Sequence, residues 1–214
     1  MFMRLYLVRH GKTDTRMENK RQTPLTPLGE LGREQARAVA KKLKSIDADV
    51  LLSSDWPRAL QTAEVISKET GLNIHIFHNL HEQDVPEIVQ GIPDDSEINL
   101  RFIHERTKAG KVLDFNWKFE GEGESMSELL LRAKDVCNTL ATEYKNKKII
   151  AVTHGIFIAI LVATMIFGFD ADKKTIVDFF KAFHHHNAGL SVLDYDEDSG
   201  QWSLVCLNDH SHLI

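Results

Sequence analysis

Leu5-Tyr6-Leu7-Val8-Arg9-His10-Gly11 is the stretch that decides the fold. The apolar run reads as a buried strand, and Arg9-His10-Gly11 as the loop leaving its carboxyl end. Histidine serves as a nucleophile or proton carrier near neutral pH. Arginine forks two hydrogen bonds onto a phosphoryl or carboxylate group. Glycine lets the backbone turn sharply and approach a ligand. Alone, the tripeptide would be an ordinary polar loop. Its meaning depends on whether other strands deliver partners to it.

Two further strands end in the same way. Asp49–Ser53 runs into Ser53-Ser54-Asp55-Trp56-Pro57-Arg58, with Asp55 expected to cap the next helix and Pro57 to sit in its first turn. Lys148–Val152 runs into Thr153-His154-Gly155. Helical patterns lie between. Thr26 is expected to cap a helix starting at Pro27 and reaching about Ser45. Gly71 is placed to end the helix that contains Arg58. Ser125 and Glu128 fit the capping-box spacing of a helix reaching Tyr144. An apolar helix over 156–167 and a shorter one over 172–183 follow. Leu72–Phe77 reads as another strand, and Gly189–Tyr195 with Gln201–Leu207 as a hairpin. This alternation predicts an α/β three-layer sandwich: a mainly parallel central sheet with helices on both faces. Residues 80–124 break the pattern with charges, Pro86, Pro93 and one helix over about 95–109. They read as an inserted helical cap, since about 45 residues can hardly bury a core of their own. Residues 1–214 are therefore expected to form a single domain.

Composition excludes several classes. Hydrophobic residues make up 43% and charged residues 27% of 214, as in ordinary globular chains. A net charge of -5 argues against nucleic acid as a partner, so any anion site must be a local basic pocket. Cys137 and Cys206 lie far apart without a CxxC, which fits a reducing cytoplasm. The amino terminus has no signal-peptide layout, and the longest apolar segment, Ile156–Phe169, is too short to span a bilayer. No membrane association is expected. The run His184-His185-His186 reads as a polar helix end, because consecutive side chains point different ways and metal ligands are spaced. Neither a metal nor a cofactor is expected. A homodimer stays open, since oligomeric state is not written in the pattern.

In a parallel sheet the three polar turns converge on one edge, where ligands of such folds bind. Two histidines and two arginines then meet, a set suited to phosphoryl transfer. Arg9 and Arg58 clamp the oxygens, and the amides opening the 155–167 helix add donors. One histidine attacks phosphorus, and the other, protonated, neutralises charge on the equatorial oxygens. A proton must still reach the leaving oxygen, so a carboxylic acid near the cap is required.

Four stretches together resemble the histidine phosphatase superfamily, in its phosphoglycerate-mutase-like branch. They are Arg9-His10-Gly11-Lys12-Thr13, Leu25-Thr26-Pro27-Leu28-Gly29, Ser53-Ser54-Asp55-Trp56-Pro57-Arg58-Ala59-Leu60-Gln61-Thr62-Ala63 and Val152-Thr153-His154-Gly155. Gly123-Glu124-Ser125 and the strand from Asn187 to Asp194 add to the likeness. The resemblance implies His10 as the phosphorylated nucleophile, with Arg9, Arg58 and His154 as the phosphate pocket and Gly155 beside it. It implies a carboxylate early in the cap as proton donor. Leu80-His81-Glu82 matches that pattern, with Asp84 as the second choice. Where many members carry Asn six residues after the nucleophile, this chain has Arg16, and a common Gln-Gly appears as Gln22-Thr23. Arg16, Gln22 and Thr23 are thus the expected substrate contacts of this loop. Arg101, His104, Arg106, Lys111 and Lys118 face either a phosphorylated metabolite or solvent. Phe115, Trp117 and Phe119 line either the substrate mouth or the cap core. The implied function is a phosphatase hydrolysing phosphate monoesters of small metabolites. Its alternatives are a cofactor-dependent phosphoglycerate mutase and a catalytically silent phospho-ligand binding module.

Overall fold

The computed structural model describes residues 2–14 and 19–213. Six strands, β1 (Phe2–Arg9), β2 (Val50–Ser53), β3 (Ile74–Ile76), β4 (Lys148–Thr153), β5 (Leu190–Asp196) and β6 (Gln201–Asp209), form one sheet. Their order is β3-β2-β4-β1-β5-β6. The first four pair in parallel, and the β5–β6 hairpin adds an antiparallel margin beside β1.

The helices are α1 (Glu30–Leu43), α2 (Pro57–Thr70), α3 (Glu97–Lys111), α4 (Met126–Glu143), α5 (Gly155–Phe167) and α6 (Lys173–Ala182). Strand alternation assigns them to layers. Leu5 and Leu7 of β1 pack with α4, α5 and α6, while Tyr6 and Val8 pack with α1 and α2. Both faces of β1 are covered, which is why its sequence lacks an apolar–polar alternation. Each such fully buried aliphatic side chain contributes about 1.5–3 kcal/mol. In α5 every residue from Phe157 to Met165 is buried, as its uniformly apolar sequence requires. The three-layer α/β sandwich is the fold expected from the sequence.

Several local expectations hold. The Ser125–Glu128 capping box opens α4, and Gly71, with φ 78°, closes α2. Others differ for identifiable reasons. α1 starts at Glu30 rather than Pro27. Thr26 instead receives the amide of Thr23 at 2.9 Å, and Leu28 N donates to Gln61 Oε1 at 2.8 Å. Those residues fasten the preceding loop to α2 before the helix begins. Asp55 does not cap α2; its carboxylate lies 2.9 Å from His78 Nδ1, and Trp56 takes the cap position.

The inserted segment carries α3 and a small apolar cluster of Val89, Phe102 and Phe119. It is tied to the loop after β1 by backbone bonds: Arg21 N to Ile92 O at 3.0 Å and Asp94 N to Asn19 O at 2.8 Å. That loop, irregular in sequence, thus meets the cap through an isolated antiparallel bridge between Lys20 and Pro93.

Gly11 has a different task from the ligand approach expected of it. A Cβ there would lie 2.3 Å from Gly32 O, and one on Gly32 would lie 2.0 Å from Lys12 O. Two glycines therefore let α1 seat directly on the loop carrying His10. Gly11→Ala and Gly32→Ala are each expected to destabilise the fold by about 1–3 kcal/mol or more, as overpacking does. Urea denaturation measures this, and an unchanged midpoint would refute the contact.

Candidate active site

Strand register builds the site. Arg9 of β1 pairs with Thr153 of β4, and Ser53 of β2 pairs with Val152. The next residues, His10, His154 and Ser54, therefore leave the sheet side by side. The two histidine rings lie 5.0 Å apart, and His154 Nε2 sits 2.9 Å from Ser54 Oγ. The first turn of α2 brings in Arg58, whose Nε donates to His10 Nε2 at 3.3 Å and whose Nη1 donates to the Thr23 carbonyl at 2.9 Å. Its guanidinium lies over the Trp56 ring at 4.6 Å. Arg9 Nη1 donates to the backbone carbonyl of His185.

These groups border a cavity of about 600 Å³. Arg9, His10, Arg58, Glu82 and Gly155 line it, with Gln22 and Thr23 on the loop side. His154 is fully buried against His10 and Trp56 rather than on the cavity wall. Arg16 lies outside the described residues.

Hydrogen bonding selects the protonation state of His10. Its Nδ1 is 2.7 Å from the Gly11 carbonyl, which only accepts, so Nδ1 carries the proton. Arg58 Nε only donates, so Nε2 presents a lone pair. This is the neutral tautomer a nucleophilic imidazole needs.

Glu82 occupies the start of α5. Its Oε2 accepts from Ile156 N at 3.1 Å and its Oε1 from Phe157 N at 2.9 Å. Those two amides, expected to meet the substrate anion, are spent on this carboxylate, whose charge suits a helix amino terminus. Asp84 is set apart: it is exposed, lies 3.7 Å from His81 Nδ1 and does not line this cavity.

The charges follow from burial. Complete burial, reinforced by Arg58 and His10, holds the His154 pKa well below 6.5. Among these protein groups His154 is therefore neutral, and the protonated state expected from the sequence is one that a bound anion would have to supply. Its buried Nδ1 has no hydrogen-bond partner among the described residues, the kind of orphan that a ligand oxygen satisfies. Burial, with the charge of Arg9, lowers Arg58 to about 10, against the pull of Glu82. It stays a cation at neutral pH. Burial also pushes His185 down to about 4, and its Nε2 lies 2.9 Å from Ser191 Oγ.

Some neighbours escape sequence reasoning. His185 appeared there only as part of a histidine run, yet its carbonyl holds Arg9. Only His185 turns away, buried and stacked on Phe183; His184 and His186 meet edge to face at 4.8 Å, and His186 stacks on His210 at 3.9 Å. Asn187 Nδ2 donates to the His10 carbonyl at 3.0 Å, a contact signalled only by its place before a strand. The cationic wall of the cavity comes from Lys20 and Arg21 of the loop, not from the cap cations. Arg106 is spent on Gln83 Oε1 at 2.7 Å, Lys118 on Glu128 at 2.8 Å, and Arg101 on Glu120. Phe115, Trp117 and Phe119 border a separate cavity of about 310 Å³. Phe119 belongs to the cap cluster and Phe115 to the main core.

A histidine with a fixed lone pair, flanked by a second histidine and two arginines at the carboxyl edge of a parallel sheet, defines a class. The chain belongs to the histidine phosphatase superfamily, branch 1, whose family model matches residues 5–210. Its members are phosphatases or mutases, and a phosphohistidine mechanism is general to them. The chain is similar to the probable phosphoglycerate mutase GpmB of Enterobacter sp. (strain 638). The two are 29% identical over 222 residues that cover 99% of this chain and 95% of the relative. Among solved structures, mycobacterial glucosyl-3-phosphoglycerate phosphatase is 27% identical with a TM-score of 0.79, covering 97% of this chain and 99% of its own. Bacillus stearothermophilus YhfR reaches a TM-score of 0.81 at 21% identity, covering 99% and 100%, a likeness of fold alone.

The buried neutral histidines carry a pH dependence. In the unfolded chain His185 titrates at its ordinary 6.5, and in the fold at about 4. Between those values the unfolded state binds more protons, so stability is full above 6.5 and is lost as pH falls. Melting temperature is expected to fall across this window, and His185→Asn is expected to make the fall shallower. An identical slope in the variant would refute the assignment.

Proposed function

We propose that the chain is a phosphatase hydrolysing monoesters of small phosphorylated metabolites through a phosphohistidine on His10. The observation that carries the reading is the His10 Nε2 lone pair, fixed from both sides of the ring and facing Arg58 beside an open cavity. Arg9 and Arg58 hold the phosphoryl oxygens, and Gly155 keeps room beside Arg9, since a Cβ there would lie 3.1 Å from Arg9 Cζ. His10 Nε2 attacks phosphorus in line, forming the N–P bond as the P–O ester bond breaks. Glu82, entering this step as the carboxylic acid, gives its proton to the leaving oxygen and becomes the carboxylate that the α5 amides hold. Water then attacks phosphorus, Glu82 takes back a proton, and the N–P bond breaks to release phosphate.

A second reading, the mutase, is favoured by the names of curated relatives. It differs in the fate of the phosphohistidine, which would return its phosphoryl group to the bound acid instead of to water. Both readings favour an alcohol that bears its own negative charge, because Lys20 and Arg21 line the cavity away from the sheet. A silent binding module is disfavoured by the retained proton-transfer partner, Glu82. The chain is proposed to act as one domain in a reducing cytoplasm, a compartment that free Cys137 and Cys206 suit. Its partner is proposed to be the small substrate, with no nucleic acid, membrane or cofactor involved.

His10→Ala is expected to lower turnover of p-nitrophenyl phosphate by at least roughly 10³-fold, as loss of a covalent nucleophile does. Retained turnover would sink the nucleophile assignment. Incubation with 3-phosphoglycerate separates the two readings: free phosphate supports the phosphatase, and 2-phosphoglycerate without phosphate release supports the mutase. Arg21→Gln is expected to raise KM about tenfold for 3-phosphoglycerate while leaving p-nitrophenyl phosphate unchanged. Equal effects on both substrates would refute the second-charge contact.

A further inference from the structure

Residues 81–86, which carry Glu82, belong to neither helix nor strand. Something else must hold a carboxylate there to the tolerance that proton transfer requires. Arg132 of α4 is that something. Its Nε and Nη2 grip the Glu124 carboxylate at 2.8 and 2.7 Å. Its Nη1 donates to the carbonyls of Asn79 and His81, both at 2.8 Å, and its Nη2 also reaches the carbonyl of Glu82 at 3.3 Å. The guanidinium lies 4.3 Å from the centre of the Phe157 ring. Phe157 is the residue whose amide holds Glu82 Oε1. One side chain thus supports both the backbone of Glu82 and the helical turn that grips its carboxylate.

Glu124 closes the arrangement. Its carbonyl accepts Gln83 Nε2 at 2.8 Å, and its amide donates to Asp84 O at 2.9 Å. The Arg132–Glu124 pair is close to buried, at 10% and 11% side-chain exposure. A forked guanidinium matches this set of acceptors, and a lysine cannot span it.

We propose that Arg132 is a positioning residue for the proton donor, acting through Glu82 and never touching substrate. This rests on the phosphatase reading in which Glu82 protonates the leaving oxygen. Such a role has a signature that a merely structural clamp lacks. Protonation matters for an alkoxide leaving group and hardly at all for p-nitrophenolate, which departs without a proton.

The test compares kcat/KM on glycerol phosphate and p-nitrophenyl phosphate for Glu82→Gln, Arg132→Lys and Glu124→Gln, with melting temperatures alongside. Glu82→Gln is expected to lose roughly 10²–10⁴-fold on the alkyl ester and at least about tenfold less on the aryl ester. Arg132→Lys is expected to show the same split, with an alkyl loss of about tenfold to 10²-fold. Glu124→Gln keeps the arginine and its bonds to backbone carbonyls, so it should show a weaker split even if Arg132→Lys folds poorly. Equal losses on the two esters in the Arg132 and Glu124 variants, with the split kept in Glu82→Gln, would overturn the positioning role and leave the phosphatase reading standing. Absence of the split in Glu82→Gln would instead remove Glu82 as proton donor, and the positioning role with it.

Discussion

Arg58 Nε faces His10 Nε2 at 3.3 Å, a donor against a ring nitrogen that must then be unprotonated. Holding that pair demands much of the surrounding chain. α2 has to begin at Pro57, so that its first turn delivers the guanidinium over Trp56. Thr62, one turn on, donates to the Arg58 carbonyl at 2.8 Å and accepts the Gly11 amide at 3.2 Å, tying α2 to the loop after His10. That loop is pressed from its other side by α1, through the Gly11–Gly32 contact. The histidine is thereby fixed in position and in tautomer before any ligand arrives, which is the preorganisation that phosphoryl transfer rewards.

The same pair concentrates positive charge in a buried place, and the rest of the site is arranged around that cost. His154 and His185, both adjacent to the arginines, are kept neutral by burial and by those charges. Glu82 is drawn to the opening turn of α5, where amides rather than a cation hold it. The positive charge of Arg9 and Arg58 lies on the cavity wall, and a phosphate dianion is the natural complement. The overall charge of -5 never enters, because the field is local.

Much of this was legible. The run Leu5–Val8 lacks polar alternation because both its faces are covered, and that alone implies helices on either side. The turn residues of three strands pointed to one edge because parallel strands share their carboxyl ends. The capping box of α4 and Gly71 of α2 were readable because each signal acts within a few residues. Misreadings arose where a residue had a distant competitor. Asp55 looked like a cap but pairs with His78, brought near by the segment after β3. The α5 amides looked free but are taken by Glu82, 74 positions earlier. The cap arginines were open to either metabolite or solvent, and distant partners decided it: Arg106 answers Gln83 and Arg101 answers Glu120.

Sequence alone determined the layer order, the strands that end in chemistry and the residue types gathered there, because these depend on local periodicity and on parallel topology. Only the tertiary structure decided the tautomer of His10, the neutrality of His154, the seat of Glu82 and its support by Arg132. Each of those depends on atoms far apart in the chain, on burial and on hydrogen-bond direction, none of which spacing along a sequence encodes.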